Sequence, residues 1–398
     1  MSSFIPASEC YSRISRLQTA LAARNLDSFF IFDGVDQLYY TGTIQNGFLV
    51  VPASGEPVLF VRRNLERAQS ESPLKNIYPY VSYRDALNVL KSLNMKLANS
   101  AVDESTMTVS GLKLLQKVFD AVKFTDAGII LRKVRAVKSA YEIDKMRQAG
   151  KNGSAVLSRA LSLMIEGVTE WELALDIFRL TSMAGNSCIA RMASGTGEFF
   201  LGNICFGDSS IYPTAFDGPG GITGRSPVCP YGGSLRKLKK GDLIFIDIGY
   251  PFEEYYVDKT RLFLLGAQPS PEMQKAHRLC LDVQEYVRRR LKPGEIPSKI
   301  YDDVYNEIII PSGMADNFMG YGSNQVKFLG HGIGMVINEY PVIARKFDEP
   351  LEDGMTIALE PKKGIPGIGL LGTENTFIVT PAGGECITPD SDEIRIIG

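Results

Sequence analysis

A chain of 398 residues is long for a single hydrophobic core, so two domains are expected. Its 43 basic and 45 acidic residues leave a formal net charge of −2, which excludes the positive field needed to hold nucleic acid or an anionic membrane surface. With 44% hydrophobic and 22% charged residues the composition is that of a soluble globular protein, whose expected partner is a small peptide or small molecule.

The N-terminal MSSFIPASECYSRISRLQ has no apolar run after a basic start, and no later stretch reaches about 18 uncharged apolar residues, so a cytoplasmic protein is expected. Cys10, Cys188, Cys205, Cys229, Cys280 and Cys386 lack CxxC spacing, which favours reduced thiols over disulfides or a zinc knot. Only two histidines are present, His277 and His331.

In chain order, residues 10–24 place Ile14, Leu17, Leu21 and Ala22 on one helical face. SFFIFD (28–33) reads as a strand, and DQLYYTG is ended by Gly42. FLVVP (48–52) and PVLFV (57–61) flank the turn ASGE as a hairpin, and a helix is predicted over 110–122. This alternation predicts an α/β domain over residues 1–131, without a glycine-rich phosphate loop. From Arg132 to about Leu163 the charged, periodic sequence predicts one long helix opening a second domain, 132–398. Thr169 and Glu172 have capping-box spacing before another helix over 168–180. Residues 192–234 are rich in Gly, Pro and Ser, yet the aromatic content (Phe199, Phe200, Phe206, Tyr212, Phe216) argues for an ordered lid or pocket wall.

The second domain centres on IFIDIGYPFEEYYVDKTRLF (244–263). Ile244, Phe245, Ile246 and Ile248 make a strand buried on both faces, and Tyr255, Tyr256, Val257, Thr260 and Phe263 make a returning one. If Asp247 lies opposite Asp258, the two carboxylates share one face about 5 Å apart and need a cation. From this segment alone, a turn cap or an ion pair with Lys259 or Arg261 explains them equally well. Beyond the hairpin, 271–291 and 298–310 read as helices, and FLGHGIGMVINEYP (328–341) follows. TIALEP (356–361) and LLGTENTFIVT (370–380) then form a strand pair joined by KKGIPGIG.

His331 in GHGIG, Glu360 in ALEP and Glu374 in GTEN are each weak signals of metal binding. With Asp247 and Asp258 they form the ordered set D, D, H, E, E, and this set resembles the pita-bread metallohydrolases, the family of methionine aminopeptidase, proline aminopeptidase, prolidase and creatinase. RAVKSAYEIDKMRQAG is similar to that family's entry helix, and the N-terminal half resembles the extra domain of the prolidase and creatinase branch. The resemblance implies an α/β N-terminal domain followed by an α+β pita-bread catalytic domain. It implies Asp247, Asp258, His331, Glu360 and Glu374 as ligands of two divalent ions with a bridging, activated water, and Glu360 as proton shuttle. Four carboxylates and one imidazole favour Mn²⁺, with Fe²⁺, Co²⁺ and Zn²⁺ usable. Thr260 and Arg261 are expected to support the ligands, Arg261 equally as a structural ion pair. A homodimer is expected by the same resemblance.

The sequence departs from the peptidase pattern at two histidines. One belongs in the segment occupied by SGTGEFFLGN, and the other in an H-E-x-P sequence where this chain has Asn338-Glu339-Tyr340-Pro341. Asn338 therefore stands where a histidine would stabilise the tetrahedral intermediate, and it offers only a fixed hydrogen bond. Asp208, Tyr212, Asp217 and Arg225 are candidates for substitute groups, whereas His277 reads as a partly buried helix residue. The leading expectation is a dinuclear aminopeptidase or dipeptidase of Xaa-Pro type. The alternatives are C–N hydrolysis or a lyase reaction on a small zwitterion, and, ranked last, a non-catalytic binding protein.

Overall fold

The computed structural model describes residues 5–185, 190–192, 198–199, 202–214 and 218–398. Phe200, Phe216 and Asp217, the Phe199 side chain and Cys188 lie outside the described residues. The chain divides into two compact units, Met1–Arg135 and Ala136–Gly398.

The first unit runs α1 (Ala7–Ala22), β1 (Ser28–Ile31), α2 (Gly34–Thr41), β2 (Gly47–Pro52), β3 (Val58–Val61), α3 (Leu65–Glu71), β4 (Asn76–Pro79), α4 (Tyr83–Ser92), β5 (Asn99–Val102), α5 (Val109–Val118) and β6 (Lys123–Asp126). Its six-stranded mixed sheet has the order β4-β3-β2-β1-β5-β6. The expected hairpin is the antiparallel pair β2–β3, in which Phe48 lies opposite Phe60. Those two rings stack at 4.9 Å between centroids and lie in one core with Phe30, Leu115 and Phe119. On α1, Ile14, Leu17 and Leu21 are buried as expected, but Ala22 is exposed, because the helix ends there.

The stretch expected as one helix is two, α6 (Gly128–Ala136) and α7 (Ala140–Ala160). The break is a capping box. Ser139 Oγ accepts from the Glu142 amide, and Glu142 accepts from the Ser139 amide. The proposed division after residue 131 would fall inside α6. The predicted capping box at Thr169 opens α8 (Glu170–Met183) in the same way.

In the second unit, β7 (Ala190–Arg191) and β8 (Glu198–Phe199) pair as a short ladder. The next strands are β9 (Gly202–Phe206), β10 (Leu243–Phe252) and β11 (Tyr255–Leu265), followed by α9 (Pro271–Arg290) and α10 (Pro297–Val304). Then come β12 (Gly330–Gly332), β13 (Glu339–Val342), β14 (Thr356–Leu359), β15 (Lys362–Ile365), β16 (Gly369–Gly372), β17 (Asn375–Ile378), β18 (Glu385–Cys386) and β19 (Arg395–Ile397). Nine of these strands form two sheets, β19-β11-β10-β9 and β13-β12-β14-β17-β18. KKGI is thus not a linker. It is β15, half of a separate hairpin with β16, while TIAL pairs with NTFI. A bridge between Thr260 and Glu374 ties the two sheets together.

The register of the central hairpin also differs from the expected one. Asp247 lies opposite Thr260, and Asp258 opposite Gly249. The two-residue offset preserves parity, so both aspartates still face the same side, as diagonal rather than direct neighbours.

Candidate metal centre

Five strand segments deliver the site. β10 carries Asp247 and β11 carries Asp258, β12 carries His331, Glu360 directly follows β14, and Glu374 directly precedes β17. The flanking glycines of GHG are dictated by packing. A Cβ on Gly330 would stand 2.2 Å from the Ala358 carbonyl oxygen, and one on Gly332 would stand 2.4 Å from that of Tyr340. The histidine can therefore lie between two close-packed strands only because its neighbours have no side chains.

All five predicted residues line one cavity of about 520 Å³. Asp258, His331 and Glu374 can each offer a ligand atom within 4.8 Å of the others. His331 Nε2 lies 3.2 Å from Glu360 Oε1, and its Nδ1 lies 3.0 Å from the Gly332 carbonyl. Asp258 Oδ1 accepts from the Lys259 amide. Neither aspartate meets the Lys259 or Arg261 side chain. Lys259 instead pairs with Asp390, and Arg261 with Asp392.

Thr260 and Arg261 act on Glu374 by different routes. The Thr260 hydroxyl donates to Glu374 Oε2 at 2.9 Å, while Arg261 holds the Glu374 backbone carbonyl at 2.9 Å and the Asn375 side chain at 2.7 Å. Arg261 thereby shapes the segment that carries the carboxylate, without touching the carboxylate itself.

A residue that sequence reasoning missed stands at the centre. Lys362, completely buried, donates to Asp247 Oδ2 at 2.9 Å, Glu360 Oε2 at 3.0 Å and Glu374 Oε2 at 2.9 Å. Its spacing from Glu360 was the available signal, since residues i and i+2 of an extended segment share a face. The four carboxylates expected to face two divalent ions therefore also face one resident positive charge.

Electrostatics follow from this crowding. Burial pushes the Asp258 carboxyl up to about 7, reinforced by Asp247. Burial and the Asp258 charge likewise raise Glu374 well above the usual carboxylate range. Burial opposes ionisation of Glu360 too, but Lys362 and His331 outweigh it and hold that carboxyl below its ordinary value. For Lys362, burial favours the neutral amine, and Asp247, Glu374 and Glu360 overcome it to keep the ammonium. The Glu374 Oε1 atom, by contrast, is buried without a hydrogen-bond partner among the described residues. An orphaned carboxylate oxygen beside His331 and Asp258 is what a missing cation would leave, and this hard, oxygen-rich donor set fits a divalent ion.

The rest of the cavity corrects the candidate substitutes for the missing histidines. Asp208 and Tyr212 are exposed and border a different surface depression, and Arg225 is exposed. Asn203 and Asn338 line the cavity instead. Asn203 sits directly opposite Asp247 across β9 and β10, with its Oδ1 buried and unpartnered. His277 is buried on α9 and bonds through Nε2 to the Asp392 carbonyl at 2.7 Å, so it belongs to the helix packing and not to the cavity.

Residues 144–381 match the model of metallopeptidase family M24, and residues 13–137 match the creatinase/prolidase N-terminal domain. The chain belongs to metallopeptidase family M24. The two matches together account for the two-domain order, and M24 membership for the pita-bread arrangement of both sheets around the five residues. An uncharacterised peptidase of Staphylococcus aureus is 26% identical over 382 residues, covering 95% of this chain and 99% of the relative. Among solved structures, an Xaa-Pro dipeptidase from Bacillus anthracis superposes with TM-score 0.81 at 22% identity, over 98% of this chain and 100% of that one. The prolidase from Pyrococcus horikoshii gives 0.79 at 22% identity, over 96% and 99%. At such identities the M24 neighbours establish the fold.

Proposed function

We propose that this M24 protein is a metal-dependent hydrolase of short peptides, Xaa-Pro dipeptides foremost, in which Asp258, His331, Glu360 and Glu374 hold the metal. The observation that carries this reading is the convergence of these residues on one cavity, with Glu374 Oε1 buried and unpartnered. A bound divalent ion would supply Lewis acidity toward the scissile carbonyl and toward water. Glu360, held ionised, takes a proton from the attacking water and returns it to the departing amine nitrogen. Thr260 fixes the direction of Glu374, while Asn203 and Asn338 orient the substrate from the cavity wall. Manganese as the working ion, a homodimer and a cytoplasmic setting are proposals carried by the resemblance and the sequence. Among the described residues, no helix is long and apolar enough to cross a membrane.

A second reading, C–N hydrolysis or a lyase reaction on a small zwitterion, is favoured by one observation. The cavity presents asparagines, neutral and non-titrating, where peptidase relatives are expected to have histidines. The test is a panel of Xaa-Pro and other dipeptides alongside small zwitterions, with metal-loaded protein and Asp258→Asn as control. Dipeptide hydrolysis abolished by chelator and by Asp258→Asn is the expected result. Turnover of zwitterions alone would transfer the assignment to the second reading, and turnover that survives chelation would overturn both.

A further inference from the structure

We infer that the Lys362 ammonium is a built-in cation occupying one of the two positions expected for metal, so that the centre takes one divalent ion per chain. This rests on the reading of Asp258, His331, Glu360 and Glu374 as metal ligands.

The geometry divides the carboxylates in two. An ammonium has three N–H donors, and Lys362 spends all three on carboxylates: Asp247 Oδ2, Glu360 Oε2 and Glu374 Oε2, each at 2.9 or 3.0 Å. Phe245 closes the position from another side, its ring centroid 5.7 Å from Nζ. The opposite oxygens of the same two glutamates point elsewhere. Glu360 Oε1 faces His331 Nε2, and Glu374 Oε1 is the orphan. Glu360 and Glu374 therefore each give one oxygen to the ammonium and leave the other toward the His331 side of the cavity, where a divalent ion would be held.

Asp247 is the residue whose role changes. Its expected function was to ligate a metal. Like Glu360 it lies outside the group formed by Asp258, His331 and Glu374 and meets the ammonium, but whereas Glu360 also turns an oxygen to His331, the ion pair of Asp247 is with Lys362. An ion seated between Asp247 and Glu374 would have to displace Lys362 from two of its three carboxylate hydrogen bonds. The side chain, on the first residue of β15, is completely buried, so solvent does not screen the repulsion. Ion and ammonium exclude each other there.

The arrangement also changes what the site can do. A permanent, unexchangeable charge keeps Asp247 and one edge of each glutamate in place whether or not metal is bound. The pocket is thus shaped before the ion arrives, and one position is immune to chelation.

The experiment is metal stoichiometry by mass spectrometry of full-length protein equilibrated with Mn²⁺ and freed of excess ion, for the native chain and for Lys362→Ala. One ion per chain in the native protein and two in Lys362→Ala is the expected result. Two ions in the native protein would overturn the inference while leaving the metallohydrolase reading intact. One ion in both would overturn it as well, because removal of the ammonium would then open nothing. No ion in either would sink the metal reading along with it. Should Lys362→Ala fail to fold, electron paramagnetic resonance of the native Mn²⁺ protein decides alone. An isolated six-line spectrum supports the inference, and the multiline spectrum of an exchange-coupled pair overturns it.

Discussion

Among single residues, Thr260 most cleanly separates the placing of a ligand from the ligand itself. Its hydroxyl is completely buried, donates to Glu374 Oε2 and shares that oxygen with Lys362. Thr260→Val keeps the branched shape and removes only the donor, so the Glu374 carboxyl group loses one of the two bonds that set its direction. Partners of this kind tune metal affinity by roughly 10- to 100-fold. We expect Thr260→Val to weaken Mn²⁺ binding by about that factor in a calorimetric titration, with the fold unchanged by circular dichroism. Unchanged affinity would show that Lys362 alone positions Glu374. Arg261 differs in kind, since it braces the Glu374 and Thr388 carbonyls and its loss would deform the segment as well as the ligand.

At the scale of elements, what the sequence disclosed depended on whether local pattern or long-range pairing decides the outcome. The capping box of α8, the hairpin β2–β3 and the strands carrying Asp247 and Asp258 are written in adjacent residues, and they were legible. The same capping signal at Ser139 and Glu142 lay inside a periodic stretch and was overridden by that periodicity, so one helix was expected where two occur. The two-residue register offset of the central hairpin was not legible, because the tight turn at Glu253–Glu254, with both φ values positive, decides it. Lys362 was missed for a different reason. A lysine beside glycine in KKGIPGIG looks like loop polarity, and only the separate hairpin β15–β16 aims it inward.

The helix α9 carries its own prediction. His277 is buried there, with Nδ1 unpartnered and Nε2 bonded to the Asp392 carbonyl, and burial lowers its pKa below the ordinary histidine value. A folded-state pKa lower than the unfolded one means that the unfolded chain binds the extra proton more readily. His277 therefore costs nothing above the unfolded pKa of about 6.5, and stability falls as pH drops from there toward the folded pKa. Urea unfolding at pH 7.5 and 5.5 should show a loss in the native protein that is smaller in His277→Gln, which retains a donor but does not titrate. Equal losses in both would assign the acid sensitivity to the carboxylates.

For the whole molecule, the two compact units give a way to ask where metal binding acts. The five site residues and Lys362 all lie in Ala136–Gly398, and so does Trp171, the single tryptophan of the chain. Fluorescence of Trp171 therefore reports unfolding of the unit that holds the site, without a contribution from Met1–Arg135. A ligand that binds only the folded state at 100 times its dissociation constant stabilises it by about 2.7 kcal/mol, which for a unit of this size raises the midpoint by roughly 5 °C or more. Mn²⁺ should shift the Trp171 transition upward by that order, and EDTA should reverse the shift. Asp258→Asn should abolish the response, whereas the native protein without metal should still melt cooperatively, because Lys362 already supplies one positive charge and a hydrogen bond to three of the four carboxylates. A metal-free protein that shows no Trp171 transition would mean that the ammonium does not suffice to hold the centre together and that the divalent ion is part of the fold.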